Sequence, residues 1–175
     1  MLVAVVSDSH DNVGGVRWAV EKISQMDVDA LIHLGDVVAP FTLLEFQKIE
    51  VPVKHLILGN NDGEKLIMRK VAERLGFQLH DGPSEICIGG RKIFAFHGFG
   101  DADFTKSLAI KIAESGKYDA VIYGHTHFAF GEKIGGCIVL NPGELHGAIS
   151  GIQSFLILDL DDMTTKSLHR EARFY

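Results

Sequence analysis

Cysteine, proline and tryptophan are scarce in this chain, with two, four and one among 175 residues. Cys87 and Cys137 cannot build a disulfide framework, and they fit a reducing compartment, so a cytoplasmic location is expected. Long apolar runs are missing as well; none approaches the roughly 20 residues of a membrane span. The opening "MLVAVVSDSHD" has neither a basic leader nor a small-residue cleavage site. It reads as a first strand and not as a signal peptide. Positive charge is in deficit: 17 Lys and Arg stand against 23 Asp and Glu, a formal net charge of −6. Such a balance argues against broad electrostatic binding to nucleic acid or to an anionic membrane. No stretch has the composition of a linker, a repeat or a low-complexity tract. Apolar residues make up 46% of the chain, so residues 1–175 are read as one domain with a sizeable core.

What is present alternates in a regular way. "LVAVVSD" (2–8), "ALIHLGD" (30–36) and "VKHLILGN" (53–60) are short apolar runs rich in β-branched residues, as expected of strands buried on both faces. Between them, Val13, Val16, Ala19, Val20 and Ile23 fall at helical spacing, with Asp11 or Asn12 as the cap. "FTLLEFQKI" (41–49) follows Pro40, a good first helical residue, and reads as a second helix. Residues 64–75 read as a third, ended by Gly76. This βαβαβα order implies a parallel sheet with helices on its faces. The pattern then changes. "SEICIGG" and "RKIFAFHG" are strands joined at Gly89-Gly90, a helix is expected over 104–115, and "DAVIYGHTH" is another buried strand. "FAFGEKIGGCIVLNPG" reads as short antiparallel strands with glycine turns. "SFLILDL" (154–160) and "TTKSLHRE" (164–171) form a last hairpin. The expected fold is α/β, with two sheets of mixed strand direction and helices outside.

Histidine, with nine copies, is the unusual residue, and its placement carries the functional reading. In open α/β sheets ligands bind at the carboxyl ends of strands. Here those ends read Asp8-Ser9-His10, Gly35-Asp36, Gly59-Asn60, His97-Gly98 and Gly124-His125-Thr126-His127. Each carries Asp, Asn or His, with no Lys or Arg among them. Singly, an Asp there is more often a cap or a turn residue, and a lone His a satisfied core residue. Jointly, the seven side chains of Asp8, His10, Asp36, Asn60, His97, His125 and His127 point to metal binding. Four imidazoles, two carboxylates and one amide, with no thiolate, suit a borderline divalent ion better than calcium. Manganese is the first expectation, with nickel, iron or zinc as alternatives. Seven ligands exceed one four-coordinate ion, whereas two ions sharing a carboxylate use them all.

The order D-x-H, G-D, G-N, H, G-H-x-H resembles the calcineurin-like metallophosphoesterase superfamily. The short length, "GNND" and "NPGE" (141–144) are similar to its small bacterial and archaeal phosphodiesterase branch, which in turn resembles the retromer scaffold subunit. The resemblance implies a four-layer α/β/β/α sandwich. It also implies a first metal held by Asp8, His10, Asp36 and His127, and a second by Asp36, Asn60, His97 and His125, with Asp36 bridging. Asp36, Asn60, His97 and His125 form the expected catalytic group. The implied activity is hydrolysis of a small phosphodiester by a hydroxide held between two ions. A protein-binding scaffold of the same fold and a phosphomonoesterase or protein phosphatase are the alternatives. Neither stable nucleic-acid binding nor a membrane partner is expected, and a homo-oligomer is left open.

Three positions depart from the family pattern. Asn61 stands where related phosphatases carry a histidine that protonates the leaving group, and it could instead hydrogen-bond a phosphoryl oxygen. Phe99 replaces a second histidine, and Glu144 a serine. His33, His55, His80, His146 and His169 fall outside the pattern. His33 and His55 read as satisfied core residues, and Cys87 and Cys137 as packing residues. Ser7, Ser9 and Thr126 read as partners of ligands and not as nucleophiles.

Overall fold

A computed structural model describes residues 1–172. The chain begins with strand β1 (Leu2–Val6), helix α1 (Val13–Ile23), β2 (Ala30–His33), helix α2 (Pro40–Leu43) and β3 (Val53–Ile57). It continues with α3 (Lys65–Arg74), β4 (Phe77–His80), β5 (Ser84–Ile88), β6 (Arg91–Phe96) and α4 (Ala102–Glu114). It closes with β7 (Ala120–Tyr123), β8 (Phe130–Ile134), β9 (Cys137–Asn141), β10 (Ile152–Asp159) and β11 (Thr164–Glu171). Six strands form one sheet in the order β11-β10-β1-β2-β3-β4, and five form the other in the order β5-β6-β7-β9-β8. Strands β1 to β4 run parallel; at one edge β10 pairs antiparallel with β1, and β11 pairs antiparallel with β10. In the second sheet β6, β7 and β9 are parallel, and β5 and β8 are antiparallel.

The period-2 alternation of each central strand splits its side chains between two cores. Ala4 and Val6 face outward to Val16, Ala19 and Ile23 of α1 and to Met68 and Ala72 of α3. Val3 and Val5 face inward and meet Ile93, Ala95, Ala120 and Ile122 of the second sheet. A third core lies on the far side of that sheet, where Phe96, Val121, Tyr123 and Val139 pack on Ala109 and Ala113 of α4. The result is the α/β/β/α sandwich. Wholly apolar β1, and β2 with its single histidine, follow from burial on both faces.

Several local expectations need correction. Strand β4 carries polar Gln78 and His80 and is only four residues long, so its sequence signal is weak; it pairs with β3 at the sheet edge. Residues 41–49 keep α geometry for one turn only, and Leu44–Lys48 tighten into a 3-10 helix. Helix α4 starts earlier than the apolar spacing suggests, because Asp101 caps it by accepting from the N–H of Phe104. Its buried face is Thr105, Ala109 and Ala113, while Phe104 is exposed. Cys137 is buried, but Cys87 is exposed on β5 and is not a packing residue. Of the two expected cap candidates, Asn12 caps α1, accepting from the N–H of Gly15 at 3.0 Å. No helix among the described residues is long and apolar enough to cross a membrane.

Candidate metal centre

The loops after β1, β2, β3, β6 and β7 all leave the same end of the sandwich, and they are tied together by backbone. The N–H of Asp8 donates to Gly35 (3.0 Å), that of His10 to Asp36 (3.0 Å) and that of Gly124 to His97 (2.8 Å). Close approach dictates glycine at two positions. A Cβ on Gly59 would lie 2.2 Å from Asp36 Oδ1, and one on Gly98, at φ +154°, would lie 2.4 Å from His125 Cβ. Five of the seven candidate ligands sit at left-handed φ: Asp8 (+52°), His10 (+39°), Asp36 (+55°), His125 (+67°) and His127 (+64°). Such backbone costs a side-chain-bearing residue about 1–2 kcal/mol. It persists only where the surroundings enforce it, typically at functional sites.

Two groups of ligand atoms form, Asp8 with His10 and His127, and Asp8 with Asp36 and His97. Asp8 Oδ1 lies 3.6 Å from His127 Nε2 and 3.9 Å from His10 Nε2. Asp36 Oδ2 lies 3.4 Å from His10 Nε2 and 3.3 Å from His97 Nε2. Asn60 Oδ1 is 3.1 Å from His97 Nε2. His125 belongs to neither group: its Nε2–H donates to the carbonyl of Gly100 (2.8 Å), and its ring stands edge-on to His97. Its Nδ1 is the nitrogen left for a ligand.

Two buried polar atoms among the described residues lack any hydrogen-bond partner, Asp8 Oδ1 and His10 Nε2, and they face the same gap. A buried unpaired carboxylate oxygen is costly. Asp8 and Asp36 are both buried, and the cationic side chains paired with them among the described residues are histidines alone. Asp8 raises the pKa of His10. Burial would lower His97, but Asp36 and Asp8 outweigh it and leave it raised. Burial would raise the Asp36 carboxyl, yet hydrogen bonds from His97 and Asn61 hold it well below the usual range. The cluster draws positive charge, and its N and O donors fit divalent metal.

The surrounding hydrogen bonds set which nitrogen each ring offers. The Nδ1–H of His97 donates to the Leu34 carbonyl (2.7 Å), leaving Nε2 for the site. That of His127 donates to Glu144 Oε2 (2.8 Å), with the same effect. Glu144 is fully buried, and its other oxygen accepts from the N–H groups of Ile149 and Ser150 and from the Ser150 hydroxyl. Burial opposes ionisation of Glu144, but His127 and Ser150 bring its pKa down to about 2. Asn61 points at Asp36: its backbone N–H reaches Oδ1 and its amide reaches Oδ2, both at 2.8 Å. Asp62 accepts from the N–H groups of Asp36 (3.0 Å), Val38 (2.8 Å) and Gly59 (2.7 Å) and joins two loops. "NND" and the departure at Glu144 were the only signals in the sequence for these roles. His146 reaches the site, its ring 5.4 Å from that of His10. His33 is buried and accepts from the N–H of Gly35, while Ser7 donates to Asp8 and Thr126 meets Asn141.

Residues 1–163 match the calcineurin-like phosphoesterase superfamily domain. The chain belongs to that superfamily and is a phosphoesterase. It is 34% identical to phosphodiesterase MJ0936 of Methanocaldococcus jannaschii, over 98% of each chain. It is 26% identical to the probable metallophosphoesterase YsnB of Bacillus subtilis, over 98% of this chain and 92% of that one. A solved archaeal phosphodiesterase superposes with a TM-score of 0.86 at 32% identity, covering 97% of this chain and 100% of the other. Vps29 of Entamoeba histolytica superposes with a TM-score of 0.70 at 22% identity, over 99% of this chain and 100% of the other, which is a likeness of fold alone.

Proposed function

We propose that this chain hydrolyses small phosphodiesters with two divalent metal ions. The first ion is assigned to Asp8, His10, Asp36 and His127, the second to Asp36, Asn60, His97 and His125. One observation carries this reading: Asp36 Oδ2 lies between His10 Nε2 and His97 Nε2, at 3.4 and 3.3 Å, where a bridging carboxylate belongs. When bound, such a pair supplies a nucleophile from water and offsets charge at phosphorus. Manganese is the preferred metal, with nickel, iron and zinc as rivals, since the donor set is imidazole and oxygen. The 34% identity to a named phosphodiesterase supports diesters over monoesters.

The chain's own residues bear on which esters react. Asn61 aligns both oxygens of Asp36. An amide cannot supply a proton near neutral pH, so Asn61 does not assist the leaving group. Activated aryl esters, whose leaving groups need little protonation, are therefore favoured over alkyl esters. We further propose that residues 1–175 act as one domain. The two free cysteines suit work in the cytoplasm. The test is a panel of apo protein against manganese, nickel, iron and zinc, with model mono- and diesters. Two ions per chain and diester turnover are expected, and Asp36→Asn should lose more activity than Asn60→Ala, because it alone disturbs both ions. Elemental analysis that never exceeds one ion per chain under saturating metal would overturn the dinuclear assignment.

A further inference from the structure

Two of the larger concavities, of about 710 and 500 Å³, surround Lys117 and Tyr118 before the start of β7, at the opposite end of the sheet from the ligands, and hold no candidate ligand. A smaller cavity, of about 220 Å³, opens directly on Asn60 and His97. Its remaining wall includes Leu58, Pro83 and Phe99, with Lys65 and Asp81 beside it. The Lys65 ammonium pairs with Asp81 at 3.0 Å, so this edge carries little net charge. Among the described residues lining this cavity, the one Lys or Arg, Lys65, is paired, so a second phosphate is not favoured there.

Phe99 is half exposed yet firmly placed. Its N–H donates to Thr105 Oγ1 (2.9 Å), and the same hydroxyl donates back to its carbonyl (2.6 Å). Thr105 is buried in α4. The Phe99 ring lies nearly parallel to that of Phe96, with 16° between planes and 6.2 Å between centroids. An aromatic side chain on a pinned backbone thus stands beside the cluster, packed on Phe96 and half exposed. A half-exposed phenyl held in place offers a face for stacking another flat ring.

We propose that this cavity is a subsite for one ester group of the substrate, and that it selects a flat aromatic or heteroaromatic group against Phe99. The cavity is smaller than the roughly 300–1,000 Å³ of pockets for drug-sized ligands, which suits a single ring system. The substrate class is then an aryl or heteroaryl phosphodiester with no further anionic group on that side. This rests on the phosphoesterase site, because the phosphorus is placed at Asn60 and His97.

The experiment uses phenylphosphonate and ethylphosphonate, whose carbon–phosphorus bonds leave them intact, at a pH where both head groups are dianions. Calorimetric titration into manganese-loaded protein is expected to show phenylphosphonate binding on the order of tenfold tighter. Phe99→Ala should bring that ratio to roughly twofold or less by weakening the phenyl ligand alone, and Phe99→Tyr should restore it. Melting curves identify any variant that fails to fold, and Thr105→Val, which frees the Phe99 backbone, gives a second route to a reduced ratio. Equal binding of the two ligands by the parent protein, or an unchanged ratio in folded Phe99→Ala, overturns the subsite. A parent protein that prefers the phenyl ligand but turns over no diester with any metal keeps the subsite and overturns the diesterase reading instead.

Discussion

Asp36 is the proposed bridging ligand, and the residues that hold it are open to test. Asn61 reaches both of its oxygens. Asn61→Ala removes the amide bond but keeps the backbone one. The variant should bind manganese more weakly, within the roughly 10–100-fold span typical of residues that orient ligands, when measured by equilibrium dialysis. Glu144 acts in the same way on His127. Glu144→Gln keeps the volume but weakens the charge-assisted bond to Nδ1. Manganese affinity at one of two sites should fall by a similar factor while the other stays near the parent value. Glu144→Ala should also lower the melting temperature, because the N–H groups of Ile149 and Ser150 lose a buried acceptor. An unchanged two-site isotherm in Glu144→Gln would show that His127 needs no such partner.

Among the elements, the β3–β4 pair contains the clearest source of pH dependence. His55 Nδ1 lies 3.0 Å from His80 Nε2, and two imidazoles at that distance share one proton. Burial, and then the neighbouring His80, lowers His55 to about 4, and burial lowers His80 as well. Both folded values lie below the unfolded value near 6.5, so between these limits the unfolded chain binds more protons. The contribution is complete above the unfolded value and is lost as pH falls from about 6.5 toward 4. The slope is up to about 1.4 kcal/mol per pH unit for each extra proton taken up by the unfolded chain. Urea unfolding across that range should show the decline, and His55→Asn should reduce it, with buried His33, also lowered to about 4, contributing to what remains. The pair also explains why β4 was not legible: its polar residues are satisfied by β3, a neighbour that local pattern does not reveal. Helix α4 shows a related effect, since Phe104 lies at helical spacing with Leu108 and Ile112 yet is exposed where the core is built on alanines.

At the scale of the whole molecule, the two sheets place buried carboxylates at one end, with no Lys or Arg among the described residues paired to them. Metal should therefore act as a stabiliser of the entire fold. A ligand that binds only the folded chain adds about 2.7 kcal/mol at roughly a hundred times its dissociation constant. For a chain of this length that corresponds to a melting shift of roughly 5–10 °C per occupied site. Scanning calorimetry of apo protein with and without manganese should show it, and Asp36→Asn should remove most of it. A melting temperature indifferent to metal in the parent protein would contradict the cluster's need for a cation.

The alternation of apolar runs and helical spacings by itself determined the βαβαβα half, because strands buried on both faces must be almost continuously apolar. The repeated Asp, Asn and His endings likewise pointed to the residues proposed as ligands, since strand ends in a parallel sheet share one edge. What only the tertiary structure decided is how those residues are aimed. Whether Asn61 faced a phosphoryl oxygen or Asp36 depended on the loop after β3 meeting the loop after β2, a contact 25 residues away in sequence. Glu144 meets His127 across 17 residues, and His146 meets His10 across the molecule. Hydrogen bonds and ring contacts of this kind are set by the packing of two sheets and their loops, so no local pattern in the chain encodes them.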